Sequence, residues 1–219
     1  MSKLADLRDL VERDLDDTGN AVWATGDIDR AIERALSDYS QVNPQRAVTT
    51  KTLAADGREI DISGVSDLVR LVRVWCPYTA ASPEDPPEWR EWEMWGTTLA
   101  ILDGDEPASG EVVRLFYHAA QEIEDLNAAA ATTVPAADEA VIVAGAGAYA
   151  VLQMARSAVG QAGVSTETPE HWLSWAMGRM QDFNERLGAI RKRELRKVDK
   201  RVPVDRAGWD RGGSYRDGI

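Results

Sequence analysis

Residues 140–159 read AVIVAGAGAYAVLQMARSAV, from Ala140 to Val159, and are apolar nearly all the way round a helical wheel. A helix without a polar face must be buried on several sides, so this segment predicts the central helix of a bundle. Thr133, with Pro135 in the first turn, marks a helix start. The stretch also contains Gly145-Ala146-Gly147-Ala148-Tyr149-Ala150 after Val141-Ile142-Val143, the spelling of a strand followed by a dinucleotide-binding turn. That fold needs further parallel strands, whereas the residues after Ala150 offer one long helix and a tail. The glycines are therefore read as letting another helix approach closely. A nucleotide-binding enzyme using the Gly145/Gly147 turn remains the alternative from another functional class.

The partners of that central helix are legible on either side of it. Leu4, Leu7, Val11 and Leu15 recur at helical spacing until Asp16-Asp17-Thr18-Gly19-Asn20 breaks the pattern. Thr25 can cap a second helix whose apolar face is Ile28, Ala31, Ile32, Ala35, Leu36, Tyr39 and Val42, and Pro44 ends it. Thr168 and Pro169 open a last helix, lined by Trp172, Ala176, Met180, Phe183, Leu187 and Ile190, whose periodicity fades after Leu195.

Between these helices the texture is that of strands. Val48–Leu53 and Arg58–Ile62 flank Ala54-Ala55-Asp56-Gly57, which predicts a hairpin at the Asp-Gly pair. The second part of Val65–Trp75 is β-branched, and Pro77 closes it. Trp89–Trp95, Thr97–Leu102 and Val112–Tyr117 complete a set of short strands suited to a small antiparallel sheet or barrel. The fold class is α+β, mainly α. Residues 1–46 and 119–195 form a helical bundle, 47–118 a β-rich insertion lobe, and 196–219 an extended C-terminal tail or docking arm.

Composition narrows the function. The 219 residues include 37 acidic and 25 basic side chains, a net charge of -12 that repels nucleic acid. Cys76 is the single cysteine and His118 and His171 the two histidines, so no intramolecular disulfide or Cys/His zinc site is expected. Neither histidine has a cysteine or serine motif beside it, and no set of catalytic groups, cofactor or metal ligands can be named. No signal peptide or membrane span is read, and folding inside the cell fits the cysteine usage.

The charge is unevenly placed. Residues 186–219 carry 11 basic and 5 acidic side chains, net +6, which leaves -18 on the preceding body. Arg191, Lys192, Arg193, Arg196, Lys197, Lys200 and Arg201 form the dense part of this run. They suit an acidic partner or an acidic patch on a neighbouring copy, with a solvated helix end as the plainer reading. Trp75, Trp89, Trp92 and Trp95 gather half of the eight tryptophans. On a regular strand Trp89 and Trp95 share a face, either as sheet core or, with Trp92, as an exposed protein-binding surface. Glu88, Glu91 and Glu93 around them oppose stacking on single-stranded nucleic acid.

The order of elements and several strings resemble the head-to-tail connector, or adaptor, proteins of long-tailed bacteriophages. The matching pieces begin with Trp23 before Thr25-Gly26-Asp27-Ile28-Asp29-Arg30-Ala31-Ile32, then Trp95-Gly96-Thr97-Thr98-Leu99 in the β-rich part. Tyr117 leading to Thr132-Thr133-Val134-Pro135, the Gly145–Ala150 helix and a long charged helix complete them, over about residues 3–195. The resemblance implies a virion structural protein, made in the host cytoplasm and sited in the neck. It implies a homo-oligomeric ring, commonly twelve-fold, that extends the portal channel and meets stopper or tail proteins. It also implies that the basic run from Arg191 to Arg201 docks on the portal or a neighbouring subunit, with Trp89, Trp92 and Trp95 as the neck or tail contact. Packaged DNA would pass through without specific binding, which an acidic wall favours. A stopper or tail-terminator protein is the alternative within the virion.

Overall fold

The computed structural model describes residues 2–19, 21–83, 87–158 and 167–199. Among the described residues four helices and seven strands make a mixed α+β fold. Helix α1, Leu4–Asp14, buries Leu4, Leu7 and Val11, and the Lys3 backbone N–H donates to the Asp6 carboxylate at 2.9 Å to close its first turn. Helix α2 spans Thr25–Val42. Thr25 is its first residue rather than its cap, because the Ala24 carbonyl already accepts from the N–H groups of Asp27 and Ile28. Two short 3-10 turns, at Leu126–Ala128 and Ala136–Asp138, lead into α3, Glu139–Ala158. Helix α4, Glu167–Asp199, runs past Leu195, where the apolar periodicity ends.

Helix α3 packs against all three other helices, which accounts for its apolar circumference. By length and composition residues 136–157 could cross a membrane, and over half of the apolar window is buried inside the bundle. The two glycines of the central stretch lie mid-helix. A Cβ on Gly145 would sit 2.7 Å from the Phe183 ring of α4, so the missing side chain is what admits that ring. At Gly147 a Cβ would press on the Asp14 carboxylate at 2.9 Å, and Asp14 there pairs with Arg179, joining α1 to α4 across α3. Neither glycine stands at a strand-to-helix turn, so the nucleotide-cradle alternative loses the geometry it requires.

The strands are β1 Gln45–Thr52, β2 Glu59–Asp61, β3 Leu68–Trp75, β4 Trp89–Arg90, β5 Trp92–Trp95, β6 Thr98–Ile101 and β7 Val112–Ala119. They form two antiparallel sheets, ordered β1-β7-β3-β4 and β2-β6-β5. The expected hairpin at Asp56-Gly57 does not form. β1 pairs with β7 and β2 with β6, because the loop is tied to a later one: Ser109 N–H donates to Asp56 Oδ1 at 2.6 Å and Gly57 N–H to the Pro107 carbonyl at 3.0 Å. Long-range backbone partners override the local turn signal.

Two hydrophobic cores result. One gathers Leu7, Ile28, Ile32, Tyr39, Ile142 and Phe183 among the helices, and the other gathers Leu71, Val74, Leu99, Ile101, Val113 and Leu115 between the sheets. Polar groups join them at the feet of β1 and β7. Ser40 Oγ of α2 accepts the Gln121 N–H at 3.0 Å and donates to the Leu36 carbonyl, while Gln121 Nε2 donates to the Asn43 carbonyl at 2.7 Å. Ser40 and Gln121 are both buried, and each has partners for its polar atoms.

Candidate assembly surfaces

The basic run on α4 is not one uniform patch. Arg193 turns inward and grips Asp138, Nη1 to Oδ1 at 3.0 Å and Nη2 to Oδ2 at 2.6 Å. Asp138, only 3 % exposed, also accepts from the Tyr39 hydroxyl at 2.7 Å, and Tyr39 in turn accepts from Asn43 Nδ2 at 2.6 Å. Burial first, and the Asp138 carboxylate second, hold the Tyr39 phenol well above its ordinary range. The hydrogen bond to Asp138 likewise raises Arg193, so the guanidinium is a permanent cation in a bidentate pair. Three elements meet here: α2, the turn before α3, and the end of α4. Arg191, Lys192 and Arg196 are exposed on the same helix end. Lys197 lies on its last turns, and Lys200 and Arg201 fall outside the described residues, as does the 200–219 part of the tail.

The tryptophan run divides between the two sheets. Trp89 belongs to β4 beside β3, whereas Trp92 and Trp95 belong to β5 of the other sheet, so the expected single strand with Trp89 and Trp95 on one face is corrected. Glu91 separates the two short strands, and its N–H donates to Asp103 Oδ1 instead of extending either one. Trp75 meets Tyr78 and Trp89 meets Phe116 edge to face at centroid distances of 4.9 and 5.4 Å, and Trp75 and Trp89 lie tilted to each other at 5.9 Å. Arg73 lies over the Trp89 ring and Arg114 over Tyr78 and Phe116, which places cations on the rim of this cluster. Trp92 is half-buried against the lobe core, and Trp95 is 68 % exposed at the turn before β6. Trp95 is thus the ring of the run most available to a partner.

Residues that the periodicities do not reveal hold the frame. Asp17, in the break after α1, accepts from the N–H groups of Ala21, Val22 and Trp23 at 2.9, 3.0 and 2.9 Å. Those bonds hold its carboxyl below the usual range. The sequence signal was there in an Asp at a helix stop, but nothing local says which backbone it will turn to. A cleft of about 320 Å³ beside this turn is lined by Leu15, Trp23, His171, Trp172 and Trp175.

The polar groups that could do chemistry are dispersed. Cys76 is fully buried, and desolvation pushes its thiol up to about 11, away from the thiolate a nucleophile needs. His118 shares a hydrogen bond with Arg70 at 3.2 Å, and His171 stands apart on an exposed turn of α4. Among the described residues no group of three His, Cys, Asp or Glu side chains could hold a metal ion.

Two cores, a charged helix end clamped in place and an aromatic lobe with one exposed tryptophan are the features that this fold presents. The family model for the SU10 adaptor protein matches residues 2–207, and the chain belongs to that family. No curated protein matches the chain. Membership assigns a bacteriophage head-to-tail adaptor role, that of a virion component which meets head and tail parts.

Proposed function

We propose that copies of this chain assemble as a twelve-fold ring beneath the portal, in the neck of the virion. The ring extends the DNA channel and presents a surface to the next neck or tail protein. The family match over nearly the whole chain carries this reading. The charge distribution supports it: an acidic body lets DNA pass with little attraction, and the basic end of α4 suits an acidic partner such as the portal rim. In this reading Lys192, Arg196, Lys197, Lys200 and Arg201 dock on the portal, Arg191 faces a neighbouring subunit, and Arg193 sets the direction of the helix that presents them. Trp95, with Trp89 and Trp92 behind it, faces the next component of the neck.

A chain ending at Glu194 tests the docking arm, because it keeps the Arg193–Asp138 clamp and loses the basic residues beyond it. It should melt as the full chain does, yet fail to join purified portal rings in sedimentation and negative-stain images. Equal assembly on portals would move the docking surface to the bundle or the lobe.

A further inference from the structure

A groove of about 510 Å³ opens where the lobe meets the bundle. Arg46 of β1, Arg70 of β3 and Arg191 of α4 line it, all exposed, beside the apolar Val42, Val69 and Leu195, the last 60 % exposed. None of these arginines makes an ion pair among the described residues. Arg8, Arg30, Arg90, Arg179, Arg186 and Arg193, by contrast, each close on a carboxylate of the same chain. Glu194, the carboxylate in the groove wall, is already paired with Arg193. His118 in the wall is held below its usual range, first by burial and then by Arg70 and Arg46, so it adds no charge at neutral pH. In a chain with 37 acidic and 25 basic residues, three unpaired guanidiniums around an apolar strip mark a seat for an outside carboxylate segment that also carries an apolar side chain.

A segment of that description lies on the same chain. Leu102-Asp103-Gly104-Asp105-Glu106 joins β6 to β7, with Leu102 55 % exposed and Asp105 and Glu106 exposed without ion pairs among the described residues. The loop is held from beneath. Arg58 donates to the carbonyls of Ile101, Asp103 and Gly104 at 3.3, 3.2 and 2.7 Å, and the Arg90 guanidinium fills the place of a Cβ on Gly104, whose φ is +66°. A loop ordered in advance loses little entropy on docking. It cannot fill its own groove. Arg90 anchors it at the Trp75 end of β3, and the groove lies at the Val69–Arg70 end, roughly 15 Å along the strand.

We propose that the groove of one copy receives the Leu102–Glu106 loop of a second copy, with Asp105 and Glu106 on Arg46, Arg70 and Arg191, and Leu102 against Val69 and Leu195. The two patches differ and sit at different ends of the lobe, so the contact is heterologous and can repeat around a ring. The inference rests on the ring reading above. It names which surfaces of neighbouring subunits meet.

Cysteine trapping tests it on the full chain, since Cys76 is fully buried and leaves introduced thiols as the reactive ones. A mixture of Leu102→Cys and Leu195→Cys proteins, oxidised at high concentration, should give a mixed disulfide-linked dimer well above the two like-with-like dimers. Adding Arg46→Glu and Arg70→Glu to the Leu195→Cys protein should cut the mixed dimer about fivefold or more, as should about 0.5 M salt. Adding Asp105→Lys and Glu106→Lys to the Leu102→Cys protein should then restore it. Rings of the unmodified chain on portals without a mixed dimer overturn the groove contact and leave the ring reading standing. A charge-restored dimer without rings upholds the contact and overturns the ring. Absence of both rejects both, and a mixed dimer indifferent to charge reversal rejects the proposed pairing.

Discussion

Arg193 and Asp138, 55 residues apart, face each other through two parallel N–H to oxygen hydrogen bonds of 3.0 and 2.6 Å. The carboxylate side of this pair is 5 % exposed and the guanidinium side 43 %, so a charge that α4 would otherwise hold in water instead locks that helix to the start of α3. Breaking the pair from the buried side leaves the Tyr39 hydroxyl without its acceptor and the arginine with Glu194 alone. Asp138→Ala should therefore destabilise the fold by about 2 kcal/mol or more, read from urea unfolding. Arg193→Lys keeps the charge but not the fork and should cost less, while Arg191→Ala should stay within about 0.5 kcal/mol. Equal losses at Arg191 and Arg193 would refute the clamp.

Gly145 and Gly188 are both helical glycines in contact with different surroundings. Gly145→Leu drives a side chain into the Phe183 ring, where even a Cβ would stand at 2.7 Å, and should cost about 1–3 kcal/mol. A Cβ at Gly188 meets nothing within 4 Å, so Gly188→Ala should raise stability by about 0.5–1 kcal/mol through helix propensity. Thermal melts of the two variants moving in the same direction would contradict this packing.

The lobe should be removable. Its entry and exit strands run side by side, Gln45 opposite Ala119, and its core shares no residue with that of the bundle. Replacing residues 47–118 by a short Gly/Ser linker should leave helical circular dichroism and a cooperative melt. A molten product would show that the lobe completes the bundle's core.

Acid should weaken the fold in two separable steps. The imidazole of His118 is held below 6.5, so the unfolded chain takes up its proton first, and stability falls as the pH drops below 6.5 towards the folded value. His118→Gln should flatten that part of the profile. Asp17 is held below 3.8, so its contribution is complete above that value and is lost as the pH falls through the lower, folded one. Asp17→Asn should lower stability at neutral pH and remove this second limb. Unfolding profiles of both variants parallel to the parent would disprove the assignments.

Much of this molecule is determined by the sequence alone. The i, i+3, i+4 spacing of Ile28, Ala31, Ile32, Ala35, Leu36 and Tyr39, and the apolar circumference of residues 140–159, settle the bundle, because burial of a helical stripe is a local pattern with one outcome. The strings around Trp23, Trp95 and Gly145 sufficed to point to the adaptor family that the family match shows. Strand partners were another matter. Asp56-Gly57 spells a hairpin, yet β1 and β2 belong to different sheets, and the Trp89–Trp95 run breaks at Glu91, since pairing is decided by backbone groups far away in sequence. The same distance hid the fate of the basic run. In sequence Arg191 and Arg193 are equivalent cations two residues apart. On a helix that step turns one towards Asp138 and the other towards the groove beside Arg46 and Arg70, and only the folded arrangement of α2, α3, α4 and the lobe determines which charge is spent inside the chain and which is left for a partner.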